Sequence, residues 1–151
     1  MNKRKLIMFS IILIALVCVA TTPIMAKTYH KNIKISYVGK DLSSGKYIGS
    51  SNYLYADYDY KYSKSMYINI VPNFPYWNYV TKANVKYVKK VNGKNKYMTK
   101  TYKAKKSYRT ADWIKPRQKL VDSSILVNKL PKNWKPVSAK VFYKKKVYKG
   151  N

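Results

Sequence analysis

The feature that most constrains the fold of this chain is an alternation of apolar and polar residues at every second position. Ile33, Ile35 and Tyr37 are separated by single polar residues, and the same period recurs along the rest of the chain. Successive side chains of a β-strand point to opposite faces, so a period of two predicts strands with one buried face. The dominant period after residue 26 is two rather than 3.6, which predicts an all-β protein.

The longest alternating segment runs from Asn52 to Tyr62. Its predicted core face consists of Leu54, Ala56, Tyr58, Tyr60 and Tyr62. Its predicted outer face consists of Tyr53, Tyr55, Asp57, Asp59 and Lys61. Lysine and tyrosine interleaved on a sheet can hold a phosphate-linked or sugar-linked polymer through charge and stacking together. The alternative is that Tyr53 and Tyr55 only shield the sheet.

Turn signals divide the remaining chain into further short strands. A strand ending at Val71 is terminated by Pro72 and Pro75, and Asn92-Gly93 is the strongest hairpin signal. A two-residue loop pairs Tyr87 with Met98 but also opposes two lysines, Lys89 and Lys96, which is unfavourable. A four-residue loop over 92–95 avoids that lysine pair, so the register stays open.

The alternation of apolar and polar residues is weaker after residue 103. Residues 103–122 are basic and irregular, and Asp122 to Ser124 could cap a short helix over 125–130, with a strand over 125–127 as the alternative. A final strand contains Ala139, Val141 and Tyr143, and 147–148 could return as a hairpin. Altogether we expect seven or eight strands in an antiparallel β-sandwich or small barrel spanning residues 27–151.

The first 26 residues have the layout of a secretory signal peptide. The charged residues 3–5 precede an apolar run from Leu6 to Ala20, and the charge returns at Lys27. We expect cleavage after Ala26, with Ala20 as a second site. An uncleaved hydrophobic helix that anchors the chain in a membrane is an alternative, and lipid attachment at Cys18 is a less favoured one. A cysteine-free remainder suits an exported protein of a Gram-positive surface.

The scarcity of acidic residues, histidine and cysteine argues against most classes of enzyme and metalloprotein. The chain has 32 Lys+Arg against 5 Asp, no Glu, one His and one Cys, and its net charge is +27. Few residues are therefore able to act as catalytic acids, nucleophiles or metal ligands, and we expect no catalytic site, metal or cofactor. Such an excess of positive charge costs stability through self-repulsion unless an anionic partner is near.

Two sets of residues are candidate binding sites. The polyanion-binding candidates are the basic runs Lys103, Lys105, Lys106 and Arg109; Lys115, Arg117 and Lys119; and Lys144, Lys145 and Lys146. The aromatic-surface candidates are Tyr53 and Tyr55, and Tyr76, Trp77 and Tyr79 of the segment 74–79. Exposed aromatic rings stack on sugars or anchor protein partners. The alternative for 74–79 is that Trp77 and Phe74 plug the end of the sandwich.

Asp57 and Asp59 form the only close pair of carboxylates in that segment. On a strand they would point the same way, about 7 Å apart, a spacing that could serve a glycosidase. Surrounding lysines keep aspartates ionised, whereas a catalytic acid must hold its proton. We therefore expect both to form salt bridges with lysines.

The stretches Asn52-Tyr53-Leu54-Tyr55 and Val91-Asn92-Gly93-Lys94 are similar to segments of wall-binding surface-layer modules. With the predicted signal peptide, the chain resembles small secreted, Lys/Tyr-rich surface proteins of lactic-acid-type Gram-positive bacteria. The resemblance is compositional, implies a location at the cell envelope, and assigns no functional residue.

These observations predict an exported, non-enzymatic protein held at the cell envelope by anionic wall polymer, such as teichoic acid, or by an anionic membrane surface. One alternative is a cationic, bacteriocin-like antimicrobial effector. Another is a surface adhesin or inhibitor that binds a protein or a glycan through 74–79. Lysine, rather than arginine, dominates the charge, which suits flexible phosphates more than sequence-specific recognition of nucleic acid.

Overall fold

The structure, a computed structural model, describes residues 26–40 and 45–150, so the predicted signal peptide lies outside the described residues except for Ala26. The described residues form strands and turns without a helix. The strands are β1 (Thr28–Lys34), β2 (Ser36–Tyr37), β3 (Lys46–Tyr47), β4 (Tyr53–Tyr58), β5 (Met66–Val71), β6 (Tyr76–Val91), β7 (Lys94–Lys103), β8 (Lys105–Arg109), β9 (Leu120–Val127) and β10 (Lys135–Val147).

The strands build two sheets that pack face to face as a β-sandwich. A four-stranded sheet has the order β1-β10-β6-β7, and a six-stranded sheet has the order β2-β4-β5-β9-β8 with β3 beside β4. Most pairs are antiparallel, but β2 and β4 are parallel. Only Ala104 separates β7 from β8, so the chain passes from one sheet to the other at that residue, a way of turning a corner in sandwiches.

The main core lies between the two sheets. From the six-stranded sheet it receives Leu54, Ala56, Met66, Ile68, Ile70, Ile125 and Val127, and from the four-stranded sheet Ile33, Val80, Ala83, Val85, Tyr87, Ala139, Val141 and Tyr143. The period of two therefore predicted correctly that Ile33 of β1 and Leu54 and Ala56 of β4 face the core. Inside this core the hydroxyls of Tyr87 and Tyr102 form a hydrogen bond of 2.7 Å, which satisfies both polar groups.

A second core lies beside the connection from β8 to β9. It consists of Trp77, Ile114, Leu120, Val121 and Tyr148. Trp77 is 6% exposed, and its Nε1–H donates to the carbonyl of Val121 at 2.8 Å. The placement of Trp77 among the exposed aromatics was therefore wrong, because residues from 114 to 121 cover this part of β6.

Several predicted boundaries differ from the observed ones. The long strand ends at Tyr58 rather than Tyr62, because Asp59 accepts hydrogen bonds from the backbone N–H groups of residues 61, 62 and 63 and folds them into a turn. Residues 105–109, predicted to be irregular, form β8, and 125–127 belong to a strand rather than a helix. β10 continues to Val147, the described residues after it form no returning strand, and the described part of the chain contains ten strands.

The hairpin between β6 and β7 has the two-residue loop. Asn92 and Gly93 both have positive φ, 51° and 75°, as a type I′ turn requires. Tyr87 consequently faces Met98, and Lys89 lies directly opposite Lys96. The two-residue loop thus places two lysines opposite each other, a pairing that a four-residue loop would avoid.

Candidate polyanion-binding face

Charge is distributed unequally between the two sheets. The four-stranded sheet carries two lysines in β1, four in β6, four in β7 and five in β10, and these strands contain no acidic residue. The aspartates in the described ranges lie elsewhere: Asp57 in β4, Asp122 in β9, and Asp59 and Asp112 in connections of the six-stranded sheet. Fifteen lysines thus belong to the strands of one sheet, and no aspartate does.

The outward side of this sheet is what we call the lysine face. It comprises Lys34, Lys82, Lys86, Lys90, Lys103 and Lys140, all exposed. Their positions follow from the register, because residues on alternate positions share a face and paired residues lie side by side. Asn84 and Thr101, which occupy the middle of the same face, are joined by a side-chain hydrogen bond of 3.0 Å.

Aromatic rings lie among these lysines. The ammonium groups of Lys82 and Lys140 lie 4.7 and 5.5 Å from the centroid of the Phe142 ring, and Lys86 lies 4.3 Å from that of Tyr97. Each ring attracts the ammonium groups electrostatically and holds the lysine stems along the sheet. The face therefore presents ordered positive charge beside apolar surface.

Like charges also meet across strands. Lys82 is the direct partner of Lys103, and Lys89 is the direct partner of Lys96. Side chains paired in this way have Cβ atoms about 5 Å apart, and like charges at that distance destabilise a sheet. An anion bound between such lysines would remove the repulsion.

The predicted basic runs are only partly brought together. Lys103 belongs to the lysine face. Lys105 and Lys106 lie in β8, and Lys106 covers the ring of Tyr79 at 5.3 Å from its centroid. Lys146 donates to the backbone carbonyl of Lys119 at 3.4 Å, which joins two of the runs at one end of the molecule.

The remaining members of the runs are spread further. Lys144, which is partly buried and pairs with Tyr79, lies two positions beyond Phe142 on the outward side of β10, whereas Lys145 lies 4.6 Å from the ring centroid of Tyr29. Arg109 forms a 2.6 Å ion pair with Asp122 and is thereby compensated. Lys115 and Arg117 lie in the connection between β8 and β9.

Sequence reasoning missed Lys34, Lys82, Lys86, Lys90 and Lys140. These five lysines do not form runs of adjacent residues. Neighbours in sequence point to opposite sides of a strand, so one face collects every second residue. The available signal was the spacing of Lys82, Lys86 and Lys90 at intervals of four, an even number that puts all three on one face.

The predicted aromatic surface divides into three parts. Tyr53 and Tyr55 lie on the outer side of β4 as expected, with ring centroids 6.3 Å apart. Tyr76 is half exposed, whereas Tyr79 is half-buried, and burial raises the pKa of its phenol, with smaller contributions from Tyr108 and Tyr148. Trp77 is buried in the second core, where it contacts Trp113, an exposed ring absent from the prediction.

The two aspartates do not act as a pair. Asp59 lies in the turn after β4, where hydrogen bonds from Ser63, Tyr62 and Lys61 lower its pKa to about 2. Asp57 remains on β4, and burial raises its pKa. The expectation that two strand carboxylates would point the same way and pair with lysines is replaced by a turn-stabilising Asp59 and a half-buried Asp57.

Within residues 26–40 and 45–150, no cluster of three His, Cys, Asp or Glu side chains has the geometry of a metal site. Within the same ranges, no helix has the length and hydrophobicity needed to cross a bilayer. No protein-family model, curated protein or solved structure matches this chain.

Proposed function

We propose that this chain is an exported, non-enzymatic protein of the cell envelope that binds anionic wall polymer, of the teichoic acid type, through the lysine face. The observation that carries the proposal is the segregation of charge, with fifteen lysines and no carboxylate in the strands of one sheet. Self-repulsion among these lysines costs stability, and an anionic partner would offset that cost. Location at the envelope rests on the predicted signal sequence in residues 1–26.

The mechanism is additive electrostatic attraction. Each phosphate that contacts a lysine releases condensed counterions, so affinity falls linearly with salt on logarithmic axes. Lysine ammonium groups are hydrated point charges that tolerate many phosphate geometries, which suits a flexible polymer. Phe142 and Tyr97 add short-range contact among the charges, and occupancy relieves the repulsion between Lys82 and Lys103.

The test compares two triple variants of equal charge. Lys82→Gln, Lys86→Gln and Lys140→Gln together neutralise the centre of the lysine face, and Lys105→Gln, Lys115→Gln and Lys119→Gln form the matched control at exposed sites elsewhere. Binding of the purified protein to cell walls with and without teichoic acid is measured across a salt series. For a flexible polyanion, three lost phosphate contacts lower the logarithmic salt slope by about 2.

We expect the logarithmic salt slope of the face variant to fall by about 2, and that of the control variant to fall by less than half as much. Equal losses would show that overall charge, not the lysine face, attracts the polymer. Binding that is absent, or indifferent to salt, would contradict the proposal. Equal binding to walls and to phosphatidylglycerol vesicles would favour the alternative, a cationic effector that acts on membranes.

A further inference from the structure

A cleft opens in the six-stranded sheet, on residues that the lysine face does not use. β5 and β9 pair only from Met66 opposite Val127 to Asn69 opposite Ser124. Beyond Asn69 the two strands separate, and a cavity of about 540 Å³ lies between them and β8. Ligand-binding pockets in proteins have volumes of about 300–1,000 Å³.

One residue of the cavity wall is a buried amide with an acceptor that has no partner. Asn78 of β6 lines the cavity and is 2% exposed. Its backbone N–H donates to Oδ1 of Asn52 at 3.0 Å, and its Nδ2 donates to the carbonyl of Ile48 at 3.2 Å. Its Oδ1 has no hydrogen-bond partner among the described residues. Buried acceptors are almost always satisfied, so this oxygen is an unusual unsatisfied polar atom in a residue of the cavity wall.

The walls combine aromatic rings with hydroxyl groups. Tyr67 and Tyr79 supply rings, and Ser107 and Ser124 supply hydroxyls. Lys106 lies over the Tyr79 ring at 5.3 Å, next to the same cavity. Aromatic faces match the C–H faces of a sugar ring, and hydroxyl and amide groups match its hydroxyls.

A row of tyrosines leads to the cleft across the outer side of the six-stranded sheet. The tyrosine row consists of Tyr47, Tyr53, Tyr55 and Tyr67, with successive ring centroids 5.1, 6.3 and 6.0 Å apart. Tyr67 belongs to both the row and the cleft wall. Gly45 makes room for the Tyr53 ring, since a Cβ there would collide with its phenol end.

We propose that the tyrosine row and the cleft bind an extended, neutral, β-1,4-linked glycan. One sugar unit enters the cleft against the rings of Tyr67 and Tyr79 and the hydroxyls of Ser107 and Ser124, and the following units lie along the row. A β-1,4 linkage gives an extended ribbon whose successive units can follow this line of rings, whose planes are inclined by 64°, 25° and 52° to one another. This site is on the other sheet from the lysine face and involves no charge attraction, so it does not depend on the proposed function.

The experiment measures binding of chitohexaose and cellohexaose to the purified protein by titration calorimetry. Sodium chloride is set at about 1 M, where the screening length is ~3 Å and polyanion binding is suppressed. We expect a Kd of about 1 mM or tighter for at least one hexasaccharide. No binding of either probe at about 10 mM would overturn the proposal, while leaving the salt-dependent wall binding unaffected.

Three variants locate the binding site. Tyr67→Ala removes the shared ring and should weaken binding about tenfold, the usual effect of losing one stacking partner. Ser107→Trp, at an exposed position in the cavity wall, should block the cleft without disturbing the core. Tyr62→Ala is the matched control, since Tyr62 is 79% exposed and outside the row, and should bind like the parent. Parental binding by either Tyr67→Ala or Ser107→Trp would overturn the assignment.

Discussion

Replacement of Trp77 tests whether the segment 74–79 belongs to a core or to a binding surface. The indole is 6% exposed, lies edge-on to Tyr148 at a centroid distance of 5.8 Å, and donates to the Val121 carbonyl. Truncating a core tryptophan to alanine costs about 3–5 kcal/mol. Leaving the buried carbonyl unpaired adds about 1–3 kcal/mol. Domains are stable by only about 5–15 kcal/mol, so Trp77→Ala should remove most of the free energy of unfolding.

Trp77→Phe separates the contribution of aromatic packing from that of the hydrogen bond to Val121. Phenylalanine keeps an aromatic ring against Tyr148 but cannot donate to Val121, so we expect a loss of about 2 kcal/mol. Urea denaturation followed by far-UV circular dichroism measures this loss. With a slope near 2 kcal/mol per M, the midpoint should fall by about 1 M. The matched control is Trp113→Ala, because Trp113 contacts Trp77 yet is 43% exposed, and we expect a cost of about 1 kcal/mol.

Two results would refute this reasoning. The first is a Trp77→Ala variant that unfolds within about 1 kcal/mol of the parent, since that would mean the indole is not part of a core. The second is a Trp113→Ala variant as destabilised as Trp77→Ala. An adhesin that used Trp77 for contact would instead lose partner binding while its stability stayed unchanged.

Three further predictions concern titration and hydrogen bonding. Burial raises the pKa of Asp57 above 3.8, so the charged carboxylate opposes folding at neutral pH. Asp57→Asn should therefore raise the free energy of unfolding at pH 7, and this gain should vanish below pH 3.8 in urea denaturation measured across pH. Backbone hydrogen bonds lower the pKa of Asp59 from 3.8 to about 2. The carboxylate therefore stabilises the fold above pH 3.8, and this stabilisation is lost as the pH falls through about 2. In an acid titration of the free energy of unfolding, Asp59→Asn should not show this loss. Tyr102→Phe should cost about 1–3 kcal/mol in urea denaturation, because it leaves the Tyr87 hydroxyl unpaired in the core, and a neutral outcome would show that water replaces the partner.

The alternation of residue types was sufficient to identify strands and their inward faces. Leu54 and Ala56, and likewise Ile33 and Ile35, are buried as the period predicts. This succeeds because the alternation of side chains is a property of the extended backbone itself. It failed at Asp59, where hydrogen bonds from the following residues form a turn although the apolar alternation continues to Tyr62.

Everything that depends on which strands are neighbours required the tertiary structure. Composition determined the excess of positive charge, and spacing puts Lys82 and Lys86 on one face of β6, but only the pairing of β10 with β6 places Lys140 beside them. Trp77 is buried because a segment more than thirty residues further along the chain covers it, a contact that leaves no local pattern. The cleft exists because β5 and β9 separate beyond Asn69. A period of two specifies a face for each side chain, whereas long-range pairing decides what lies beside that face and what covers it.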